Sequence, residues 1–167
     1  MILYVVRHGI AVDIGEEGVA TDARRHLSLK GKKKTAEAVR GLKHLGFAPS
    51  KVVSSPLARA RQTAEIIVRA APGVKRVTLN DALCPGQDAG GVVRWIARQK
   101  TPSLAVVGHM PDLGDLISAL VAGSGDVGLV FKKAAVCCIS FHGKPGFDAG
   151  RLEWLLQPGH LRTIAGL

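Results

Sequence analysis

The feature that most constrains this chain is a repeated alternation of short apolar, β-branched runs with stretches of helical period. Ile2 to Val6, Lys51 to Ser54, Val74 to Leu79 and Ser103 to Val107 have strand length, and a helix-length segment separates each from the next apart from a loop at Pro85-Gly86. Strands that alternate with helices build a mostly parallel sheet, because a parallel connection must cross over a face of the sheet. The expected architecture is therefore a three-layer α/β/α domain. Ser103 to Val107 is almost wholly apolar and is expected near the centre of the sheet.

Helix boundaries follow from caps and breakers. Ser28 reads as an N-cap for a helix that stops at Gly46, and Ser55-Pro56 as a capping serine and first-turn proline for a helix reaching about Ala71. Further helices are expected over Asp88 to Gln99 and from behind Gly108-His109-Met110-Pro111 to about Val121. Ala135 to Phe141 and Arg151 to Leu155 read as strands able to pair through the turn at Gly143 to Gly150, and Pro158 to Leu167 as a surface-packed tail.

Composition sets the outer limits. A chain of 167 residues with 47% hydrophobic and 22% charged content suits one globular domain spanning 1–167, with no capping insertion. Met1 leads directly into an apolar run without a basic leader, and no apolar stretch approaches the roughly 20 residues that span a bilayer. Cys84 stands alone, while Cys137 and Cys138 would face opposite sides of a strand; a reduced, cytoplasmic setting without membrane association is the expectation.

The net charge of +10 calls for an explanation. Between Thr21 and Leu45 there are eight Lys or Arg against only Asp22 and Glu37, with Lys30, Lys32, Lys33 and Lys34 forming the core of the cluster. Aromatic residues make up 4% of the chain and none interleaves that cluster, so specific nucleic-acid binding by base stacking is not expected. A solvated helix face, or a collar that attracts an anionic partner, fits the pattern.

Three charged motifs fall where strands should end, the place where open parallel sheets collect ligands. They are Arg7-His8-Gly9, Ser54-Ser55-Pro56 leading to Arg59, and Gly108-His109. Two guanidiniums and two imidazoles converging on one point would bind a compact dianion, since arginine presents a planar fork of donors matched to phosphate oxygens. Arg59 would sit in the first turn of its helix, where backbone amides already favour anions, with Arg61 pointing elsewhere. Alternatively, Arg59 forms a surface ion pair with Glu65 or another acid. Gly9 is expected to serve the turn that brings Arg7 and His8 to one site. His26, His44, His142 and His160 lack metal-ligand spacing, and Cys84 reads as a packing residue.

These motifs resemble those of the histidine phosphatase superfamily. Leu3-Tyr4-Val5-Val6-Arg7-His8-Gly9 is similar to its Arg-His-Gly segment, Ser54-Ser55-Pro56-Leu57-Ala58-Arg59-Ala60-Arg61-Gln62-Thr63-Ala64 to its second motif and Val107-Gly108-His109 to its third. Arg25-His26-Leu27-Ser28-Leu29-Lys30-Gly31 stands where the family often has Arg-x-Leu-Thr-x-x-Gly, and Leu83-Cys84-Pro85-Gly86 with the short chain most resembles SixA-type phosphohistidine phosphatases. The resemblance implies a phosphoglycerate mutase-like fold and a covalent phospho-His8 intermediate. It further implies phosphoryl binding by Arg7, Arg59 and His109, no metal or other cofactor, and a phosphorylated protein as substrate.

The chain departs from the family at one chemically important place. Many members carry a proton-donating glutamate in the region that here reads Leu79-Asn80-Asp81-Ala82-Leu83-Cys84-Pro85, where no glutamate occurs. Asp81 is the possible replacement, whereas Asp88 reads more naturally as a helix cap or solvated residue. An alkoxide leaving group benefits from a positioned acid, but a phosphorylated imidazole can take a proton on its other nitrogen, whose pKa is about 6.5 in model peptides, and leave as a neutral ring. The loss therefore favours a phosphohistidine substrate. A broad phosphomonoesterase using Asp81, or a phosphoprotein-binding module without turnover, are the alternatives. The loop Ile10-Ala11-Val12-Asp13-Ile14 also differs from metabolic relatives, which argues against mutase activity on a phosphorylated sugar acid.

Overall fold

A computed structural model describes all residues 1–167. Six strands, β1 (Ile2–Arg7), β2 (Lys51–Ser54), β3 (Thr78–Leu79), β4 (Ser103–Gly108), β5 (Val136–Ser140) and β6 (Arg151–Leu156), form one sheet in the order β3-β2-β4-β1-β5-β6. The β3-β2-β4-β1 part is parallel, while β5 runs antiparallel to both β1 and β6. The apolar β4 is flanked by β1 and β2, an internal position consistent with its buried sequence on both faces.

Five helices cover the sheet: α1 (Leu29–His44), α2 (Ala58–Ala70), α3 (Ala89–Ile96), α4 (Asp112–Ala122) and α5 (Pro158–Ile164). Alternation along the strands sorts the core into two layers. Leu3, Val5, Leu104 and Val106 pack with Val92, Ile96, Leu116 and Leu120 of α3 and α4. Tyr4, Val6, Ala105 and Val107 pack with Leu42, Ala64, Ile67 and Leu161 of α1, α2 and α5. The adjacent cysteines follow the same rule: Cys137 enters the first layer and Cys138 the second, and burial raises their thiols to about 12 and about 11.

Local chemistry explains most boundaries. Ser28 Oγ accepts the Gly31 N–H at 3.0 Å to cap α1, and Gly46, at φ +71°, follows its last turn. The Asp88 carboxylate caps α3 by accepting from Gly90 and Gly91. Three expectations need correction. The α2 helix starts at Ala58 rather than at Ser55-Pro56, and its N-cap, Leu57, supplies no side-chain bond. The third strand pairs only over Thr78–Leu79, because it is a solvent-exposed edge preceded by Lys75 and Arg76, charges that blunt an open edge. The C-terminal tail is helical over Pro158–Ile164, with Leu161 fully buried and its carbonyl lying where a Cβ on Gly41 of α1 would project.

Candidate functional site

Parallel pairing of β1 with β4 sets Arg7 opposite Gly108, so His8 and His109 follow at equivalent strand ends. The His8 N–H donates to the Gly108 carbonyl at 3.1 Å, and the two imidazole centroids lie 5.0 Å apart. Both rings are withdrawn from solvent, at 7% exposure for His8 and 3% for His109.

His8 is held in a defined state. Its Nδ1 lies 2.7 Å from the Gly9 carbonyl oxygen, which can only accept, so Nδ1 carries the proton and Nε2 keeps its lone pair. Burial lowers the His8 pKa from 6.5 to about 3; the Gly9 hydrogen bond opposes the shift, while His109, Arg59 and Arg7 reinforce it. The ring is therefore neutral at physiological pH. The backbone turn is pinned by α2, where Thr63 Oγ1 accepts the Gly9 N–H at 3.0 Å and donates to the Arg59 carbonyl at 2.7 Å. Glycine is required at position 9 by close packing: an added Cβ would collide with Thr35 Oγ1 and press on Leu27 at 3.1 Å. Its φ is not positive, so close approach rather than a left-handed turn is the reason.

His109 is held through its other nitrogen. Its Nε2 lies 3.0 Å from Ser55 Oγ, while Nδ1 is buried with no partner. Burial and then Arg59 lower its pKa to about 4, against opposing contributions from Asp112 and Asp22 and a smaller reinforcing one from Arg7. Ser55, read from sequence as a helix cap, instead holds this ring, and its hydroxyl also accepts the Leu57 N–H at 3.3 Å.

The two arginines differ in their restraints. Arg7 donates through Nη1 to the Phe131 carbonyl at 2.7 Å, has a buried, unpartnered Nε, and has its pKa pulled down by burial. Arg59, 6% exposed in the first turn of α2, donates to Asp22 twice, from Nη1 to the carbonyl at 2.8 Å and from Nη2 to the carboxylate at 3.0 Å. Arg59 does form an ion pair, but its acid is Asp22; Glu65, the partner named from sequence, is engaged by Arg61 at 3.6 Å. Arg25 binds the same Asp22 carboxylate at 3.3 Å and reaches Asp13 at 2.7 Å, fastening the segment between β1 and α1 over the site. Partial burial tends to raise the Asp22 carboxyl, but hydrogen bonds and charge from Arg59 and then Arg25 hold it below the usual carboxylate range.

Among the acids, Asp81 is the exposed first residue of a 3-10 turn over Asp81–Leu83 whose last residue is buried, and its carboxylate makes no hydrogen bond. The carboxylates that His109 senses are Asp112 and Asp22. Asp112 Oδ1 accepts from the Gly86 and Gln87 N–H groups at 2.7 and 3.1 Å, fixing the Leu83-Cys84-Pro85-Gly86 segment against α4, while its Oδ2 is buried and unpartnered. Sequence reasoning gave no role to Asp112 or Thr63, and it noted Asp22 only as one of two acids in a basic stretch. Thr63, four residues after Arg59 on a helix, was the one its spacing could have shown. No three His, Cys, Asp or Glu side chains converge as a metal-ligand set, and no helix is long and apolar enough to cross a membrane.

The arrangement thus presents a neutral imidazole with a free Nε2, a second imidazole and two guanidiniums near the carboxyl ends of the neighbouring strands β1 and β4. Residues 3–84 match the family model described as histidine phosphatase superfamily (branch 1). A protein of Picosynechococcus sp. described as uncharacterized is 37% identical over 139 residues, covering 81% of this chain and 82% of the relative. The structure of the protein histidine phosphatase SixA complexed with tungstate superposes with a TM-score of 0.82 at 23% identity, covering 96% of this chain and 99% of that one. The phosphohistidine phosphatase SixA assigned in Agrobacterium tumefaciens gives a TM-score of 0.75 at 23% identity, with 95% and 98% covered. At these identities the two solved structures speak for the fold.

Proposed function

This chain belongs to the histidine phosphatase superfamily and is a hydrolase of the phosphatase class; on that premise we propose that it removes the phosphoryl group from a phosphohistidine of a protein, using His8 as nucleophile. The observation that carries the reading is the state of His8. Its Nδ1–H is given to the Gly9 carbonyl and burial keeps the ring neutral, so Nε2 holds an available electron pair at neutral pH.

Attack forms a bond from His8 Nε2 to phosphorus as the bond from phosphorus to the substrate imidazole breaks. The departing ring gains a proton on its second nitrogen and leaves uncharged. Arg7, Arg59 and His109 hold the phosphoryl oxygens and offset their charge through transfer. To do so Arg59 must turn its fork from Asp22 toward the phosphoryl group, exchanging one anion for another. Water then attacks phospho-His8, releasing inorganic phosphate and restoring the imidazole. No step in this scheme requires a metal.

The exposed setting of Asp81 supports a leaving group that needs little help from an acid, and hence phosphohistidine over a phosphate ester. A direct comparison of a phosphohistidine peptide with p-nitrophenyl phosphate tests this choice. Preferential turnover of the peptide is expected. Efficient ester hydrolysis that collapses in Asp81→Asn would replace this reading with a phosphomonoesterase, and phosphate binding without turnover of either compound would replace it with a binding module.

A further inference from the structure

A sizeable groove lies away from the histidines. It has a volume of about 570 Å³ and lies between α1 and α2. Lys32, Arg40 and Lys43 line it from α1, and Arg69 lines it from α2. None of these four exposed cations takes part in an ion pair. The one acid at the groove, Glu65, is engaged by Arg61. Between the cations the floor is apolar, built by Ala36, Val39, Ile66 and Ala70.

From these features we propose that the groove docks an acidic, amphipathic helix of the phosphorylated protein substrate; this rests on the reading that the substrate is a protein. Length agrees with such an occupant. Lys32, Ala36, Val39, Arg40 and Lys43 fall on one face of α1 and span about 17 Å at 1.5 Å per residue, or roughly three helical turns. An apolar strip flanked by cations matches a helix with an apolar stripe bordered by Asp and Glu. It matches single-stranded nucleic acid poorly, because no aromatic side chain lines the groove to stack a base.

Direction connects the groove with the site. Both α1 and α2 start at the carboxyl-terminal end of the parallel strands, where His8 lies. Gly31, beside Lys32, packs so closely on Ile10 that a Cβ would strike the Ile10 carbonyl. Thr63, beside Gln62, takes the Gly9 N–H. A helix seated between Lys43 and Lys32 would thus extend toward the strand end where His8 lies, and the groove would select proteins by charge before the chemistry begins.

The test uses the full chain and a synthetic amphipathic acidic peptide carrying one terminal phosphohistidine, with free phosphohistidine as a substrate too small to dock. The variant is Arg40→Glu/Lys43→Glu/Arg69→Glu, which changes exposed helix positions outside the site. Arg40→Gln/Lys43→Gln/Arg69→Gln serves as the gentler form should the first fail to fold. For the peptide, KM should rise about tenfold or more with kcat unchanged, because three exposed charge contacts are lost. Turnover of free phosphohistidine should stay as in the unaltered protein. Equal KM for the peptide in variant and unaltered protein would overturn the proposal.

Fluorescence anisotropy with the unphosphorylated peptide separates docking from catalysis. Binding that the triple variant loses, in a protein that hydrolyses no phosphohistidine, would uphold the groove and overturn the substrate reading. Tighter binding of a single-stranded oligonucleotide than of the peptide, lost in the same variant, would overturn the proposal in favour of nucleic acid.

Discussion

His8 and His109 end neighbouring parallel strands at matched positions, yet the protein fastens them by opposite nitrogens. His8 gives Nδ1–H to a carbonyl and keeps Nε2 free, whereas His109 has Nε2 tied to the Ser55 hydroxyl and leaves Nδ1 without a partner. The same side chain in the same environment is thereby given two chemical characters. A free Nε2 lone pair suits attack on phosphorus. A ring held through Nε2 by a hydroxyl suits positioning and charge stabilisation, and it can be disturbed without removing His8, the proposed nucleophile.

The largest expected effect lies on the first ring. His8→Ala should lower kcat on a phosphohistidine peptide by roughly a thousandfold or more, since the proposed route forms its covalent intermediate on that ring. His109→Ala should cost less, about a hundredfold, with phosphoenzyme still formed under single-turnover conditions, the size typical for loss of one transition-state donor. Steady-state and quench-flow rates of the two variants distinguish the roles. Equal losses with no phosphoenzyme in either would erase the contrast.

Acid should reveal the buried state of both rings. Their folded pKa values, about 3 and about 4, lie below the ordinary 6.5. Between pH 6.5 and those values the unfolded chain binds more protons, so stability is intact above the window and declines as pH falls through it. His8 should contribute a slope of at most about 1.4 kcal/mol per pH unit, and His109 adds in the same direction over a narrower window that closes near pH 4 rather than near pH 3. Denaturant titrations from pH 7 to 4 should show this slope shrink in His8→Gln. An NMR titration in which the His8 ring protonates near pH 6.5 would contradict its buried neutral state.

Smaller effects belong at the site's rim. Asp22→Asn should loosen Arg59 and lower KM by about fivefold, the scale of a pair whose arginine is buried and whose carboxylate is half-exposed, while leaving kcat unchanged. A matching fall in kcat would instead make Asp22 a participant in proton transfer. Asp81→Asn should leave phosphohistidine turnover within about twofold, as expected for an exposed acid outside the reaction. Comparison of kcat and KM in the two variants shows which carboxylate matters to the site.

Much of this site was legible in the sequence because local signals carried it. Arg7-His8-Gly9 and His109 fall at strand ends that apolar periodicity locates, and Arg59 lies in the first turn of the helix that follows the second strand. What sequence reading missed depends on contacts across the fold. Asp22 meets Arg59 only because the segment after β1 folds back over α2, and Ser55 turns toward His109 because β2 and β4 are neighbours. Ser55-Pro56 has the local grammar of a helix start, but the Ser55 hydroxyl meets His109 across the sheet and the helix begins at Ala58. Gly9 was expected to provide a turn; its purpose is close packing against Thr35, a contact that no local pattern announces. The tail was likewise underestimated, because the burial of Leu161 depends on the absence of a side chain at Gly41.

The central claim is that phosphate passes through His8. Its most direct test is rapid quenching of the protein mixed with a radiolabelled phosphohistidine peptide, followed by peptide mapping. Acid-labile, base-stable label should appear on His8 within the first turnover, and none in His8→Ala. Label on another residue, or full turnover by His8→Ala, would contradict that claim.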